Sequence, residues 1–367
     1  LDKRARVFLS PPDMGGREIE YVKEVFDSNY IAPLGEFVDR FENSISNYTK
    51  SPYVLALNSG TSAIHLALRV AGVESGDKVL APSFTFVASV SPILYQGAEP
   101  ILIDSDGSWN IDPNLIEDAI KKESPKALII THLYGQSCDM DSIVNLCDRF
   151  GVVLIEDNAE ALGAKYKNLS LGTFGRFGAV SFNGNKILTT GGGGALLCQN
   201  REDYILAKKL STQAKEDTLW YEHREFGYNY RLSNVLAAIG VAQMELIESR
   251  VKKKREIFKH YFKLLGGVDE VEFMSEIEGS FGSRWLTTLL FRDSNPLDVI
   301  KTLDKSGIES RPLWKPMHLQ PLFKRSRFYG TDISEKMFQR GICLPSGTAL
   351  SKEQIEKIAR IVKESML

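Results

Sequence analysis

Apolar residues in the first half of the chain fall into short runs separated by loops and by stretches with helical spacing. "YVLAL" (53–57), "KVLAPS" (78–83), "PILID" (100–104), "ALIITHL" (127–133) and "VVLIED" (152–157) read as strands, and "AVSFN" (179–183) and "ALLCQ" (195–199) add two more. Between them lie helical patterns such as "TSAIHLALRVAG", where Gly72 fits a C-terminal stop. This alternation predicts an α/β fold: a large, mostly parallel seven-stranded sheet with helices on both faces. In such sheets ligands bind beyond the carboxyl ends of the strands, so chemistry is to be sought there.

After Arg231 the pattern changes. "LSNVLAAIGVAQMELIESRVKKKREIFKHYFKLL" is one long helical stretch, followed by a smaller α+β region with strand-like "WLTTLLF" and a terminal helix, "SKEQIEKIARIVKES". The change divides the chain into a large domain, 1–245, and a small C-terminal domain, 246–367. The basic run "RVKKKREIFKH" inside the helical stretch reads as a solvated helix face.

Composition narrows the function classes. With 45 Lys and Arg against 47 Asp and Glu, the net charge of −2 gives no broad electrostatic footprint for nucleic acid. The 367 residues leave ample core for two domains. Cys138, Cys147, Cys198 and Cys343 lack CxxC spacing and a neighbouring His pair, so no metal site is expected and the thiols read as reduced. No apolar run is long enough to span a bilayer, and the first residues lack a signal-peptide core. The expected location is cytoplasmic, with no membrane partner.

The strand ends supply the candidate chemistry. "NSGTSA" (58–63) leads from a strand into a helix, where backbone N–H groups and the hydroxyls of Thr61 and Ser62 form either a phosphate cradle or a plain N-cap. It matches neither a Walker P-loop nor GxGxxG. In "SFTFVAS" (83–89), Phe84 and Phe86 are two apart and would share a side of an extended chain. "EDNAEALGA" (156–164) puts Glu156 and Asp157 at a strand end, where alternation lets one of them serve a given pocket, here Asp157. Lys186 follows the next strand, in front of the glycine tract 191–194. A phosphate cradle, a flat aromatic, a carboxylate and an amine in one pocket are the set that pyridoxal phosphate requires.

"SGTSAIHLAL", "PSFTFVAS", "IEDNAEALGA", "SFNGNK…TTGGGGAL", "GYNYRL" and "RPLWKPMH" together resemble the sugar aminotransferases of the DegT/DnrJ/EryC1/StrS family, over essentially the whole chain. The resemblance implies the type I aminotransferase fold and a homodimer with active sites shared across its interface. It implies that Lys186 bonds the aldehyde of pyridoxal 5'-phosphate, that Asp157 pairs with the pyridinium nitrogen and that Phe86 stacks on the ring. Thr61, Ser62 and Ser181 would hold the phosphate, joined by Asn229 from the partner subunit. Glu160 stands where the family usually has His or Gln, near the cofactor's phenolic oxygen. Asn29, Tyr30 and Ile31 are the implied sugar contacts, with packing against the core as the other reading for Ile31. Arg231 and His318 are further substrate candidates, His318 reading equally as a satisfied loop histidine.

The expected reaction moves the amino group of L-glutamate to a nucleotide-linked keto sugar. The chain looks most like enzymes aminating carbon 4 of UDP-4-keto-6-deoxy-N-acetylglucosamine, on the way to bacillosamine in bacterial protein glycosylation. A 3-keto or dTDP-linked sugar is the rival substrate. A sugar dehydrase of the same family would carry His in place of Lys186, and a non-catalytic cofactor-binding regulator is the alternative from another class.

Overall fold

The computed structural model describes residues 6–366. Helices α1 (Glu18–Asp27) and α2 (Glu36–Thr49) precede the main alternation. That alternation runs β1 (Tyr53–Leu57), α3 (Gly60–Val70), β2 (Lys78–Pro82), α4 (Ser91–Tyr95), β3 (Glu99–Ile103), α5 (Pro113–Glu123), β4 (Ala127–Thr131), α6 (Met140–Phe150) and β5 (Val153–Asp157). The short strands β6 (Lys165–Tyr166) and β7 (Leu169–Ser170) lead to β8 (Phe177–Ser181), β9 (Gly194–Cys198) and α7 (Arg201–Ser211). The long helical stretch is two helices, α8 (Asn234–Met244) and α9 (Ile247–Leu265). The remainder comprises β10 (Val271–Phe273), β11 (Ser280–Phe281), β12 (Thr287–Phe291), α10 (Pro296–Lys305), β13 (Arg311–Pro312), β14 (Phe328–Tyr329), α11 (Ile333–Arg340), β15 (Gly341–Leu344) and α12 (Lys352–Glu364).

All seven apolar runs are strands of one large sheet, ordered β1-β9-β8-β5-β4-β2-β3-β14. The sheet has eight strands rather than the expected seven. The eighth, β14, is a two-residue edge that pairs parallel with β3 and is too short to leave a periodic signal in the sequence. Within this sheet β9 alone runs against its neighbours, and the register Leu57↔Gly194↔Ser181 sets the end of β1 level with the end of β8.

The strands are apolar on both faces because helices cover both. Leu55 and Leu57 join Ile129 and Leu196 in a core with α3 and α7, while Val54 and Ala56 face the core of α1, α2 and α8. Leu128 and Ile130 pack against α5 and α6. Each such fully buried Leu or Ile contributes roughly 1.5–3 kcal/mol. A second sheet, β10-β12-β15-β13, packs Leu289, Phe291 and Ile342 against Tyr261 of α9, Leu303 of α10 and Ile358 of α12. Ser351 and Gln354 close a capping box at the start of α12.

The basic run on α9 corrects the expectation of a solvated face. Arg250 and Lys254, one turn apart, point inward and are 9% and 2% exposed. Arg250 pairs with Asp13, and Lys254 bonds to Ser10 and to the carbonyl of Trp285. A charge run hides such a pair, because a buried cation with partners and a solvated one are the same letter.

Candidate active site

The carboxyl ends of β1, β8, β5, β4 and β2 lie along one edge of the sheet. Beyond β1, Ser59 caps α3 by accepting from Ser62 N–H (3.0 Å), and Ser62 Oγ donates to Asn58 Oδ1 (2.6 Å). Ser181, at the end of β8, comes so close that a Cβ on Gly60 would stand 3.0 Å from its own Cβ. Thr61, Ser62 and Ser181 therefore meet at the α3 N-terminus, where unpaired N–H groups and the helix dipole favour an anion. The glycine tract explains part of this closeness. A Cβ on Gly194 would sit 2.3 Å from the carbonyl carbon of Ser59, whereas Gly192 has open space around it. Glycine at 194 lets the β1–α3 turn settle against β9, so its close approach is to the cradle rather than to Lys186.

The two acids ending β5 have separate partners. Glu156 is fully buried, accepts from the N–H groups of Gly172, Phe174 and Gly175 (2.7–2.8 Å) and pairs with His132 Nε2 at 2.9 Å. Asp157 is 5% exposed and accepts from Ser89 Oγ at 2.6 Å and from Ala159 N–H at 3.0 Å. Glu156 fastens the 172–175 loop, which leaves Asp157 as the acid at the edge.

Lys186 lies in the loop after β8. Among the described residues its amine has neither an ion-pair nor a hydrogen-bond partner, and it rests 4.2 Å from the centroid of the Trp285 ring. Desolvation lowers its pKa, opposed by the charges of Glu160 and Asp157. Glu160 accepts from Tyr134 N–H (2.6 Å) and from Trp314 Nε1 (3.2 Å). Burial pushes its carboxyl up to about 7, against the opposing pull of Lys186. Trp285, Tyr134 and Trp314 form a stacked series, with centroids 6.5 and 6.3 Å apart, and Phe86 leans on Trp314 at 5.2 Å. Beside it a cavity of about 750 Å³ opens between residues 8–12, Asn185, Trp285 and Trp314.

Phe84 and Phe86 do not share a side. The chain leaves the extended form after Pro82, so Phe84 is buried and Phe86 is 47% exposed at the edge. Arg231 lies in a buried contact between α2 and β1, where its Nη1 pairs with Glu42 (2.9 Å) and donates to the carbonyl of Ala56 (3.0 Å). His318 Nδ1 is 2.6 Å from Ser83 Oγ and its ring stacks on Phe328 at 3.9 Å, the arrangement of a loop histidine anchoring a turn. Asn29, Tyr30 and Ile31 lie in the α1–α2 loop, which Asn234 pins by donating to Tyr30 O (2.9 Å) and capping α2. Ile31 is 54% exposed, so it does not pack against the core of its own chain. Asn229 offers an exposed side chain while its carbonyl accepts from Asn58 Nδ2 at 3.3 Å.

Sequence reasoning missed Trp285, Tyr134 and Ser89. Trp285 opens a run read as a strand and Ser89 closes a run read for its phenylalanines. Tyr134 takes a positive φ of 52° that an apolar run does not announce. The donor set fits a phosphorylated pyridine aldehyde: a cradle at a helix N-terminus, a fixed buried carboxylate, an exposed aromatic face and an amine with no counter-ion among the described residues. Among the described residues no cluster of ligands could hold a metal ion, and no helix is long and apolar enough to cross a membrane.

Comparison with known proteins gives the same picture. Residues 12–363 match the DegT/DnrJ/EryC1/StrS aminotransferase family. EpsN of Bacillus subtilis (strain 168), provisionally named a pyridoxal phosphate-dependent aminotransferase, is 47% identical over 97% of this chain and 95% of its own. The GDP-perosamine synthase of Escherichia coli O157:H7 is 37% identical over 96% of each chain. Spr1654 from Streptococcus pneumoniae, provisionally named a sugar aminotransferase and solved in its PLP form, superimposes with a TM-score of 0.90 at 27% identity, over 99% of this chain and 100% of its own.

Proposed function

The chain belongs to the DegT/DnrJ/EryC1/StrS aminotransferase family, and on that premise we propose which residues carry the reaction and which sugar accepts the nitrogen. It is a sugar aminotransferase of the type I fold, with pyridoxal 5'-phosphate as cofactor. When bound, the cofactor supplies an aldehyde that can carry an amino group and a ring that draws electrons from the adjacent carbon.

Lys186 is the residue whose Nζ would hold the cofactor and whose free amine would take up and return the proton of the substrate carbon. The observation that carries this reading is its partly buried amine, which has no counter-ion among the described residues. Desolvation enlarges the neutral fraction, and the neutral amine is the form that attacks a carbonyl or accepts a proton. The Asp157 carboxylate, fixed by Ser89 and Ala159 N–H, keeps a proton on the ring nitrogen. Thr61, Ser62, Ser181 and the first N–H groups of α3 hold the phosphate, and Phe86 covers the ring. Glu160, near neutrality in its pKa, accepts or donates at the ring's oxygen side.

The donor is L-glutamate and the acceptor a nucleotide-linked keto sugar, UDP-4-keto-6-deoxy-N-acetylglucosamine first among candidates. The name of the GDP-perosamine synthases, which denotes a nucleotide-linked amino sugar, supports this class of acceptor. The working unit is a homodimer. Leu219, Trp220, Tyr221 and Phe226 are all more than 60% exposed, an apolar surface suited to burial against a second copy. Asn229 follows this surface and is offered with it to the other subunit's phosphate, and Asn29, Tyr30 and Ile31 to its sugar.

The test is turnover with glutamate and, separately, purified UDP-4-keto, GDP-4-keto and dTDP-3-keto sugars, with the amine position assigned by NMR. Preferred amination of a GDP- or dTDP-linked sugar would overturn the UDP assignment. Borohydride trapping of the cofactor on any lysine other than Lys186 would overturn the residue roles.

A further inference from the structure

Lys254 is a second buried lysine near the site, and the reaction above makes no use of it. It lies on α9, is 2% exposed, and its Nζ donates to Ser10 Oγ (3.2 Å) and to the carbonyl of Trp285 (3.0 Å). Ser10 Oγ donates in turn to the carbonyl of Asn185 (3.0 Å), and Trp285 Nε1 donates to that same carbonyl (2.8 Å). These bonds close a ring that runs Lys254, Ser10, Asn185, Trp285 and back to Lys254. Asn185 is the residue before Lys186, and the Trp285 indole is the surface on which the Lys186 amine rests.

We propose that Lys254 is a positioning residue for Lys186: it fixes the indole beneath the reactive amine and the backbone carbonyl immediately before it. The proposal rests on the reading of Lys186 as the reactive lysine. Burying an amine costs free energy that an aliphatic side chain of the same length would avoid, so what the amine adds here is direction. Burial, with repulsion from Arg250 and an opposing pull from Asp13, brings its pKa down to about 7. A neutral amine has two N–H groups, and two acceptors face it, so the ring of bonds survives in either charge state. Ser10 also ties the segment 8–12 that lines the cavity into this ring. Arg250, one turn earlier, holds the same segment through Asp13 and bonds Thr348 Oγ1 at 2.9 Å.

The experiment compares Lys254→Met and Ser10→Ala with Lys252→Met, a change at an exposed position of the same helix. After removal of bound cofactor, the rate at which Lys186 captures added pyridoxal phosphate is read by borohydride trapping and peptide mass. kcat and KM are measured on the reloaded enzyme. Lys254→Met is expected to slow labelling of Lys186 and lower kcat by about tenfold, with KM for the sugar within about twofold. Ser10→Ala should change the same two quantities in the same direction, by less. A role confined to stability would lower the melting temperature and leave labelling well below it unchanged. Labelling and kcat equal to the Lys252→Met control in both variants would overturn the proposal. If Lys254→Met fails to fold, Ser10→Ala decides alone, and wild-type labelling in it overturns the proposal equally. A label found on another lysine of the wild-type protein would remove the underlying reading first, and the labelled peptide tells the two failures apart.

Discussion

Glu156 and Asp157 are adjacent at the end of β5, yet their carboxylates share no partner: Glu156 gathers three backbone N–H groups and His132, while Asp157 takes one hydroxyl and one N–H. Alternation along the strand separates an acid that fastens a loop from one that faces the sheet edge. Asp157→Asn keeps an oxygen for Ser89 and removes the negative charge. The expected outcome is a folded protein that keeps part of its cofactor, with kcat down by about a hundredfold or more. Wild-type kinetics in this variant would assign the ring nitrogen to another group.

Glu156→Ala should act on stability instead. It orphans the N–H groups of Gly172, Phe174 and Gly175 and leaves His132 Nε2 without its partner, while Nδ1 keeps the N–H of Cys138. The expected loss is on the order of 3–5 kcal/mol in urea unfolding. A loss under about 1 kcal/mol would mean that water replaces the carboxylate there.

Much of this was legible in the sequence because the sheet is buried on both faces. Strands covered by helices on either side must be continuously apolar, and such runs stand out between polar loops. The order of strand ends then named Asn58 to Ser62, Asp157 and Lys186 as candidates, and the fold sets Ser62 and Asp157 at one edge of the sheet with Lys186 in the loop after β8. What the pattern could not carry was contact between distant segments. Phe328 and Tyr329 become a strand through pairing with β3 alone, Trp285 comes under the Lys186 amine from a distant segment, and the pairing of Arg231 with Glu42 joins two segments that no local pattern connects. Lys254 was hidden by its neighbours, since a run of basic residues on a helix does not say which of them point inward.

The glycine tract yields a contrast between neighbours. Gly194→Ala would drive a Cβ into the backbone of Ser59 and Gly60, at 2.3 and 2.4 Å, and displace the turn that opens α3. A loss of about 1–3 kcal/mol is expected, with weaker retention of pyridoxal phosphate in dialysis. Gly192→Ala meets nothing within 4 Å and should leave both quantities unchanged. Equal behaviour of the two variants would show that the tract acts by flexibility and not by the close approach at its last residue.

Glu160 gives the protein a pH dependence that can be read without the cofactor. Its carboxyl is raised from 4.5 to about 7, burial being the largest cause. Between those values the folded chain holds a proton that the unfolded chain has released, so the folded state binds more protons and stability falls as pH rises through this window. Above it the ionised carboxylate stays buried at a cost of at most about 3 kcal/mol. Glu160→Gln cannot ionise. Its amide accepts with one oxygen instead of two, losing one of the bonds from Tyr134 N–H and Trp314 Nε1, which is a constant offset at every pH. Urea unfolding of cofactor-free wild type and Glu160→Gln at steps between roughly pH 5 and 8 separates the two effects. The variant's stability relative to wild type should climb with pH across the window and level off above it. A difference that stays flat would show that Glu160 is ionised throughout, held so by the Lys186 charge, and would leave it an acceptor but not a donor near neutrality.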